Sequence, residues 1–166
     1  MELLLVRHGL AGKADPAQWP DDDLRPLTAK GRKAFKQAAR GLRRQGPAPI
    51  RILTSPVLRA RETAALLAKA FGLEPSAVVI IPELHHERLP GRALPALAKK
   101  KLPRAFALVG HEPWLGEFLS LLIAGNETAQ IGFAKGGAAL VSAPSLAKGQ
   151  ATLAWLLTQD QLAALA

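Results

Sequence analysis

Short apolar runs alternate with longer amphipathic segments along this chain. The run LLLVR (3–7) opens with four apolar positions, as expected for a strand that is covered on both faces of a sheet. Similar runs recur, and a turn over 144–149 separates the last two. The pattern predicts strands at 3–7, 51–55, 77–81, 105–110, 137–143 and 151–157.

Helical periodicity occupies the intervals between these runs. Thr28 is a favourable N-cap residue and Gly46-Pro47 is a stop signal, so the segment between them predicts a helix over 29–45. The Pro-containing segment 10–27 is expected to be a loop. Further helices are predicted from Ser55-Pro56 to about 70, over 92–101, from Pro113 to about Gly125, and after a Thr158 cap.

Strands that alternate with helices predict an α/β fold. We expect a three-layer sandwich with a mostly parallel central sheet and helices on both faces. The last two strands are expected to form a hairpin, which adds an antiparallel element at one end of the sheet. No internal repeat or linker is visible, so residues 1–166 are expected to form a single domain.

The composition excludes several classes of protein and site. The chain has no cysteine, which excludes disulfides, thiolate metal sites and cysteine-based phosphatases. The apolar run near the N-terminus is too short for a signal peptide, and charge, Gly or Pro interrupts the longer apolar stretches. We therefore expect a cytoplasmic protein with no membrane span, and a monomer by default.

Positive charge is concentrated in the first two thirds of the chain. The net charge is +9; residues 1–104 hold 20 Lys and Arg against 9 Asp and Glu, and residues 105–166 hold 2 against 4. This distribution fits an anionic substrate or an acidic partner, and equally a solubilising surface. The predicted helix 29–45 is the most basic element. Its polar face is either solvated, a docking surface for an acidic phosphoprotein, or a nucleic-acid surface. Its one aromatic residue, Phe35, belongs to the apolar stripe, so no aromatic residue lies among the charges of the polar face and nucleic acid is not expected.

Three polar clusters each follow a predicted strand. They are Arg7-His8-Gly9, the segment Ser55–Ala60 and the segment Gly110–Pro113. Because the carboxyl ends of strands form the ligand crevice of open α/β sheets, these clusters are expected to meet at one site. Gly9 is expected to let the backbone turn sharply there.

Two arginines and two histidines without a carboxylate pair favour phosphoryl transfer. The planar guanidinium forks of Arg7 and Arg59 match a tetrahedral dianion. An imidazole such as His8 can attack phosphorus in line, provided that it is neutral and one ring nitrogen is held as a donor. His111 can add a hydrogen bond or a positive charge to the transferring group.

Four segments together resemble the histidine phosphatase (phosphoglycerate mutase-like) superfamily, and within it the SixA-type phosphohistidine phosphatases. The segments are LLLVRHGLA (3–11), LRPLTAKG (24–31), LTSPVLRARETA (53–64) and LVGHEPWLG (108–116).

The resemblance implies a role for each matching residue. His8 would be the nucleophile that is transiently phosphorylated, Arg7 and Arg59 would bind the phosphoryl oxygens, and His111 would complete the pocket. Arg25 would help to position the substrate. No cofactor or metal is implied, and the partner would be a phosphorylated protein, such as a histidine phosphotransfer domain, or a small phosphate ester.

The general acid distinguishes two activities. Other branches of the superfamily take an acid from a glutamate after the third strand, and Glu83 is the nearest candidate, with Glu87 behind it. A phosphohistidine substrate would not need that acid, because its leaving imidazole has a pKa of roughly 6.5. An alkyl phosphate would need it. The chain has no room for a large cap insertion, so an open site and a protein phosphohistidine substrate are favoured, with a small-molecule phosphomonoesterase and a non-catalytic basic binding module as the alternatives.

Three further polar features are interpreted as structural. His85 and His86 are expected to be loop residues and not metal ligands, because adjacent side chains should diverge and no third ligand follows at zinc spacing. Ser55 is expected to be a helix cap and not a nucleophile, since no Gly-x-Ser-x-Gly elbow surrounds it. Arg61 is expected on the surface.

Overall fold

Six strands form one sheet in the computed structural model, which describes residues 1–166. The strands are β1 (Glu2–Arg7), β2 (Ile52–Thr54), β3 (Val78–Ile80), β4 (Ala105–Gly110), β5 (Ala138–Ser142) and β6 (Thr152–Leu157). Their order is β3-β2-β4-β1-β5-β6. The pairs β1–β4, β2–β4 and β2–β3 are parallel, whereas β1–β5 and β5–β6 are antiparallel. The predicted mostly parallel sheet with an antiparallel hairpin is therefore confirmed.

Helices cover both faces of the sheet, as predicted. The helices are α1 (Ala29–Gln45), α2 (Leu58–Phe71), α3 (Pro90–Ala98), α4 (Trp114–Ala124) and α5 (Gln159–Ala164). Buried residues of α1, α2 and α5 share one core, and those of α3 and α4 share the other. None of these helices is both long enough and apolar enough to cross a membrane.

Strand β1 shows why the run LLLV is apolar throughout. Leu3 and Leu5 pack into the core beneath α3 and α4, and Leu4 and Val6 pack into the core beneath α1 and α2. A strand has a side-chain period of two, so a strand between two helical layers needs an apolar residue at every position. The apolar run ends where the strand reaches the edge of both cores, and Arg7 begins the polar cluster.

Helix α1 has the predicted bounds. The Thr28 hydroxyl accepts a hydrogen bond from the Gly31 backbone N–H at 2.9 Å, which satisfies one of the unpaired donors of the first turn. Gly31 packs against the segment that follows β1, where a Cβ would collide with the Leu10 carbonyl oxygen. The absence of a side chain at this position thus places the start of α1 directly against the end of the Arg7-His8-Gly9 segment.

Several predicted boundaries are wrong, and three of them have a clear local reason. Helix α2 begins at Leu58 and not at Ser55-Pro56, because the Ser55 N–H extends the β2–β4 ladder to Val109 and a residue before proline disfavours helix. Helix α3 begins at Pro90, two residues early, since Pro suits the first turn. Strand β3 is shorter than predicted because a 3₁₀ turn takes up Ala77.

Candidate active site

Three adjacent parallel strands, β2, β4 and β1, end side by side and bring their polar residues together. The His8 N–H donates to the Gly110 carbonyl at 3.0 Å, and the Ser55 N–H donates to the Val109 carbonyl at 3.0 Å. The rings of His8 and His111 are consequently 5.1 Å apart between centroids. The strand ends meet at one place, as the strand-end argument predicts.

His8 is held in the tautomer that a nucleophile requires. Its Nδ1 donates to the Gly9 carbonyl oxygen at 2.7 Å, and because a carbonyl can only accept, the lone pair lies on Nε2. Burial lowers the pKa of His8 to about 4. The hydrogen bond to Gly9 acts in the opposite direction and raises this pKa, whereas the positive charges of the nearby arginines lower it further; these are Arg59, Arg7 and Arg25. His8 is therefore neutral near pH 7.

His111 is buried beside His8 and is held by Ser55. Its Nε2 lies 2.9 Å from the Ser55 hydroxyl oxygen, and its Nδ1 is buried without a partner. Burial lowers the pKa of His111 to about 2, with further lowering by His8 and Arg59. The expectation that Ser55 caps helix α2 is wrong: the N-cap is Val57, and the Ser55 side chain orients an imidazole instead.

Arg59, in the first turn of α2, is almost completely buried and is bound to the loop before α1. Its Nη1 donates to the Asp22 carbonyl at 2.9 Å and lies 3.1 Å from the Asp22 carboxylate. Arg25 forms a forked pair with the same carboxylate, at 2.7 and 3.1 Å, and donates to the Gly12 carbonyl at 2.6 Å. The hydrogen bond from Arg25 is the main reason that the pKa of Asp22 lies below its usual range. Asp22 thus links the two arginines.

Arg7 approaches from the other face of the sheet. Its Nη1 donates to the Phe133 carbonyl oxygen at 2.5 Å, and its Nε is buried without a partner. Burial lowers the pKa of Arg7, and the nearby charge of Glu112 raises it in opposition. Burial also raises the pKa of Glu112 itself. Arg7 and Arg59 therefore reach the two histidines from opposite sides.

Three buried nitrogens around His8 lack any hydrogen-bond partner: Arg7 Nε, Arg59 Nε and His111 Nδ1. Buried polar groups are nearly always paired, so such a group needs an explanation. These three come from β1, α2 and the segment after β4, and the charges of both arginines act on His8. A tetrahedral oxyanion at Nε2 of His8 would supply the acceptors that the protein does not.

Gly9 contributes through its backbone and not through a sharp turn, which corrects the expectation from sequence. It does not adopt the left-handed conformation, and a Cβ would make only ordinary contacts, at 3.5 Å from Leu27 and Phe35. Its carbonyl fixes His8, and its N–H donates to the Thr63 hydroxyl at 3.1 Å. Any residue could offer these two groups.

Glu83 lies in a 3₁₀ turn after β3 and forms no hydrogen bond. Its Oε2 is buried without a partner. Glu83 lines a cavity of about 510 Å³ together with Glu87, Arg88 and Arg92. The walls of this cavity include neither His8 nor His111, and Glu83 forms no hydrogen bond with either of them.

His85 and His86 do not diverge, contrary to expectation. Their rings stack with centroids 4.3 Å apart, and the His86 ring lies edge-on to His111 at 5.4 Å. The His85 Nε2 is 2.8 Å from the carboxylate of Asp23. All four histidines of the chain therefore form one continuous series, from His8 through His111 and His86 to His85.

Sequence reasoning missed three residues of this site and the role of a fourth. The missed residues are Asp22, Thr63 and Glu112, together with the role of Ser55 as a histidine partner. All but Asp22 lie inside the segments that carry the family resemblance, which is the signal that could have identified them. Arg61 is exposed, as predicted.

Comparison with known proteins identifies the family. Residues 3–120 match the model of the histidine phosphatase superfamily (branch 1). An uncharacterized protein of Picosynechococcus sp. is 38% identical over 143 residues, covering 82% of each chain. The protein histidine phosphatase SixA, solved with tungstate, superposes with a TM-score of 0.82 at 26% identity, covering 98% of this chain and 99% of its own. A candidate phosphohistidine phosphatase SixA from Agrobacterium tumefaciens gives 0.71 at 25% identity, with 95% and 97% covered.

Proposed function

The chain belongs to the histidine phosphatase superfamily, and we propose that it hydrolyses phosphohistidine on a protein through a phosphorylated His8. Phosphatase chemistry follows from the family. The proposal adds the substrate class, the covalent intermediate and the role of each residue. The proposed enzyme acts as one domain over residues 1–166, as a cytoplasmic monomer, and without a metal ion in the reaction.

The first step forms a bond between Nε2 of His8 and phosphorus while the bond from phosphorus to the substrate imidazole breaks. The pair of electrons from the broken bond stays on the substrate nitrogen, which takes a proton from solvent. In the second step water attacks phosphorus while the bond from phosphorus to Nε2 of His8 breaks and leaves its electron pair on Nε2. The water proton passes to solvent and inorganic phosphate leaves. The Nδ1–H of His8, held by Gly9, keeps Nε2 available for each cycle.

The unpartnered nitrogens carry the proposal. Arg7 and Arg59 offer their Nε–H groups to the equatorial phosphoryl oxygens, where charge accumulates in a loose transition state. The Ser55 hydroxyl can donate to Nε2 of His111, which leaves a proton on Nδ1 and makes that buried atom a third donor. These donors are in position before the substrate arrives, so little reorganisation is needed during the reaction.

Asp22 and Arg25 act as positioning residues in the proposed enzyme. The carbonyl and carboxylate of Asp22 hold Nη1 of Arg59, and Nε of the same guanidinium stays without a protein partner. Arg25, which is less exposed than Asp22, pairs with the same carboxylate and also lies close enough to lower the pKa of His8. A carboxylate that contacts both arginines offsets the repulsion between their positive charges.

The leaving group favours phosphohistidine. An imidazole leaves with a pKa of roughly 6.5 and needs no strong internal acid, whereas an alkoxide does. No carboxyl group hydrogen-bonds to His8 or His111. This arrangement supports a substrate whose leaving group departs without help from the protein.

A small-molecule phosphomonoesterase is the second candidate. One observation favours it: Glu83, with Oε2 buried and unpartnered, lines a cavity next to Arg88 and Arg92. Such a cavity could hold an anionic metabolite, with Glu83 as the acid. His8 does not line this cavity, however, and no hydrogen bond joins Glu83 to His8 or His111.

A non-catalytic basic module is the third candidate. The basic positions Arg40, Arg43 and Arg44 belong to the end of α1 that points away from the site. Helix α1 starts beside Leu10, and with a rise of 1.5 Å per residue its last turn lies roughly 20 Å further on. Binding through this end would survive His8→Ala and weaken strongly with salt.

The test compares a phosphohistidine protein with a panel of sugar and nucleotide phosphates, in the presence of a chelator. We expect turnover of the phosphohistidine protein, none in His8→Ala, and a phosphorylated His8 that can be trapped by rapid acid quench and mass spectrometry. Preference for a phosphomonoester would favour the second candidate. Activity that survives His8→Ala, or that chelator abolishes, would refute the covalent mechanism proposed here.

A further inference from the structure

Three potential ligands converge beside the histidine pair. One oxygen of the Asp23 carboxylate lies 2.8 Å from Nε2 of His85, and the other lies 4.0 Å from Nδ1 of His86. Each imidazole therefore has its own carboxylate oxygen. Ligand atoms of the three residues all lie within 4.8 Å of one another.

His86 is the unexplained member of the group. Its Nδ1 is buried and has no hydrogen-bond partner. The His86 ring stacks on that of His85 at 4.3 Å, and its unpaired nitrogen lies beside the same Asp23 carboxylate. An ion pair between Asp23 and His85 alone does not explain this arrangement.

We propose that Asp23, His85 and His86 bind a divalent transition-metal ion, for which Zn²⁺ is the best match. Two imidazole nitrogens and one carboxylate oxygen form a donor set that Zn²⁺ accepts, with one open position for water or another ligand. This proposal replaces the expectation that His85 and His86 are merely loop residues. Both premises of that expectation fail, since the rings do not diverge and Asp23 is the third ligand.

The observed separations require shifts of up to about 1.5 Å, since the ligand atoms of the three residues lie within 4.8 Å of one another. Zinc bonds of about 2.0–2.2 Å in a tetrahedral arrangement place neighbouring ligand atoms roughly 3.3–3.5 Å apart. The separations of 2.8 and 4.0 Å lie on either side of that range. The side chains of His86 and Asp23 are about one third exposed, which gives an ion a route to the site from solvent.

Binding would change the tautomer of His85. At present Nδ1 accepts from the Glu87 N–H at 3.3 Å, so Nε2 carries the proton and donates to Asp23. A metal at Nε2 moves that proton to Nδ1, where the Glu87 carboxylate, 3.8 Å away, can accept it. Glu87 would then orient a ligand imidazole from outside the coordination sphere.

This site is separate from the residues of the proposed phosphatase reaction. Nε2 of His111 is engaged by Ser55, and Nδ1 of His8 is engaged by Gly9. The His86 ring meets that of His111 edge-on at 5.4 Å, so the proposed zinc site adjoins the histidine pair without including either of its residues. Zinc binding and phosphatase activity can therefore be tested independently, and failure of one leaves the other standing.

The test is titration of the full, metal-free chain with zinc chloride by calorimetry. We expect one saturable site, weakened at least about tenfold in His86→Gln and in Asp23→Asn, since the loss of an outer-shell partner alone costs that much at zinc sites. His8→Ala is the matched control and should bind zinc as the parent does. Zinc should also raise the Tm of the parent and of His8→Ala, with a smaller effect on His86→Gln.

Three results would overturn the proposal. They are no saturable binding at one equivalent, equal binding by the parent and by both ligand variants, and loss of binding in His8→Ala, which would place the ion in the histidine pair instead. Circular dichroism of each variant establishes that it is folded, and His85→Gln replaces His86→Gln if the latter is not.

Discussion

The Thr63 hydroxyl accepts a hydrogen bond from the Gly9 backbone N–H at 3.1 Å and donates one to the Arg59 carbonyl at 2.7 Å. One buried side chain thereby links the segment after β1 to the first turns of α2. Gly9 holds His8, and Arg59 is a proposed phosphoryl ligand. Thr63 therefore sets the distance between nucleophile and ligand without facing either reacting group.

Replacing Thr63 by valine keeps the shape and removes both hydrogen bonds. The buried Gly9 N–H is then left without an acceptor, so the free energy of unfolding should fall by about 1–3 kcal/mol. The value of kcat should fall by about tenfold to a hundredfold, because His8 and Arg59 lose their common support, while KM changes less. Thr63→Ser should restore kcat. Urea unfolding and steady-state kinetics check this, and a valine variant that keeps the parent kcat would show that Thr63 positions nothing.

His8 should titrate far below an ordinary histidine. Burial lowers its pKa to about 4, and the Gly9 carbonyl holds the proton on Nδ1. Nitrogen-detected NMR of the ligand-free protein should show a neutral His8 ring with Nδ1 protonated at pH values near 6. A ring that is half protonated near its usual value of about 6.5 would contradict the burial argument.

Stability should decline when mildly acidic conditions are reached. The folded-state pKa values of His8 and His111, about 4 and about 2, lie below the unfolded value of 6.5. The unfolded chain therefore binds more protons, and the free energy of unfolding falls as the pH drops from 6.5 toward 4. Urea unfolding at several pH values from about 7 to 5 measures this slope, which should be shallower in His111→Gln. A parent slope of zero in this window would contradict the prediction.

Glu83→Gln decides between the two candidate substrate classes. With a phosphohistidine protein we expect kcat within about threefold of the parent, because the leaving imidazole needs no acid. Glu87→Gln is the matched control, since Glu87 lines the same cavity. A general acid contributes about 10²–10⁴ in rate. A loss of that size with a phosphomonoester, confined to Glu83→Gln, would favour the small-molecule activity.

Local patterns were enough to predict the layers of the fold and the meeting of the strand ends. The apolar run of β1 indicates a strand buried on both faces, and the capped, amphipathic segment of α1 indicates a helix with one buried face. The strand-end argument then brings His8, His111 and Arg59 to one edge of the sheet. These features depend on period, burial and capping, which short stretches of sequence express.

The supporting contacts could not be predicted because they join residues distant in the chain. Asp22 pairs with Arg59 across 37 positions, and Ser55 meets His111 across 56. No local pattern distinguishes these partners from other polar loop residues. His85 shows the same limitation: its proximity to Asp23, 62 positions away, depends on how two loops pack against each other.

Packing requires glycine at position 31. Its replacement by alanine should therefore destabilise the protein, although alanine has the higher helix propensity. Gly31 is in the first turn of α1, where Ala ordinarily stabilises a helix by up to about 1 kcal/mol relative to Gly. A Cβ there would collide with the Leu10 carbonyl oxygen, a backbone atom that cannot rotate away. We expect Gly31→Ala to lower the free energy of unfolding by about 1–3 kcal/mol. It should also reduce kcat, since Leu10 follows the Arg7-His8-Gly9 segment directly.

Gly12→Ala is the control: no atom lies within 4 Å of its Cβ position, and its stability should change by no more than about 0.5 kcal/mol. Urea unfolding of the two variants tests the pair, and a stabilised Gly31→Ala would mean that the contact between α1 and the loop after β1 is looser than the structure shows.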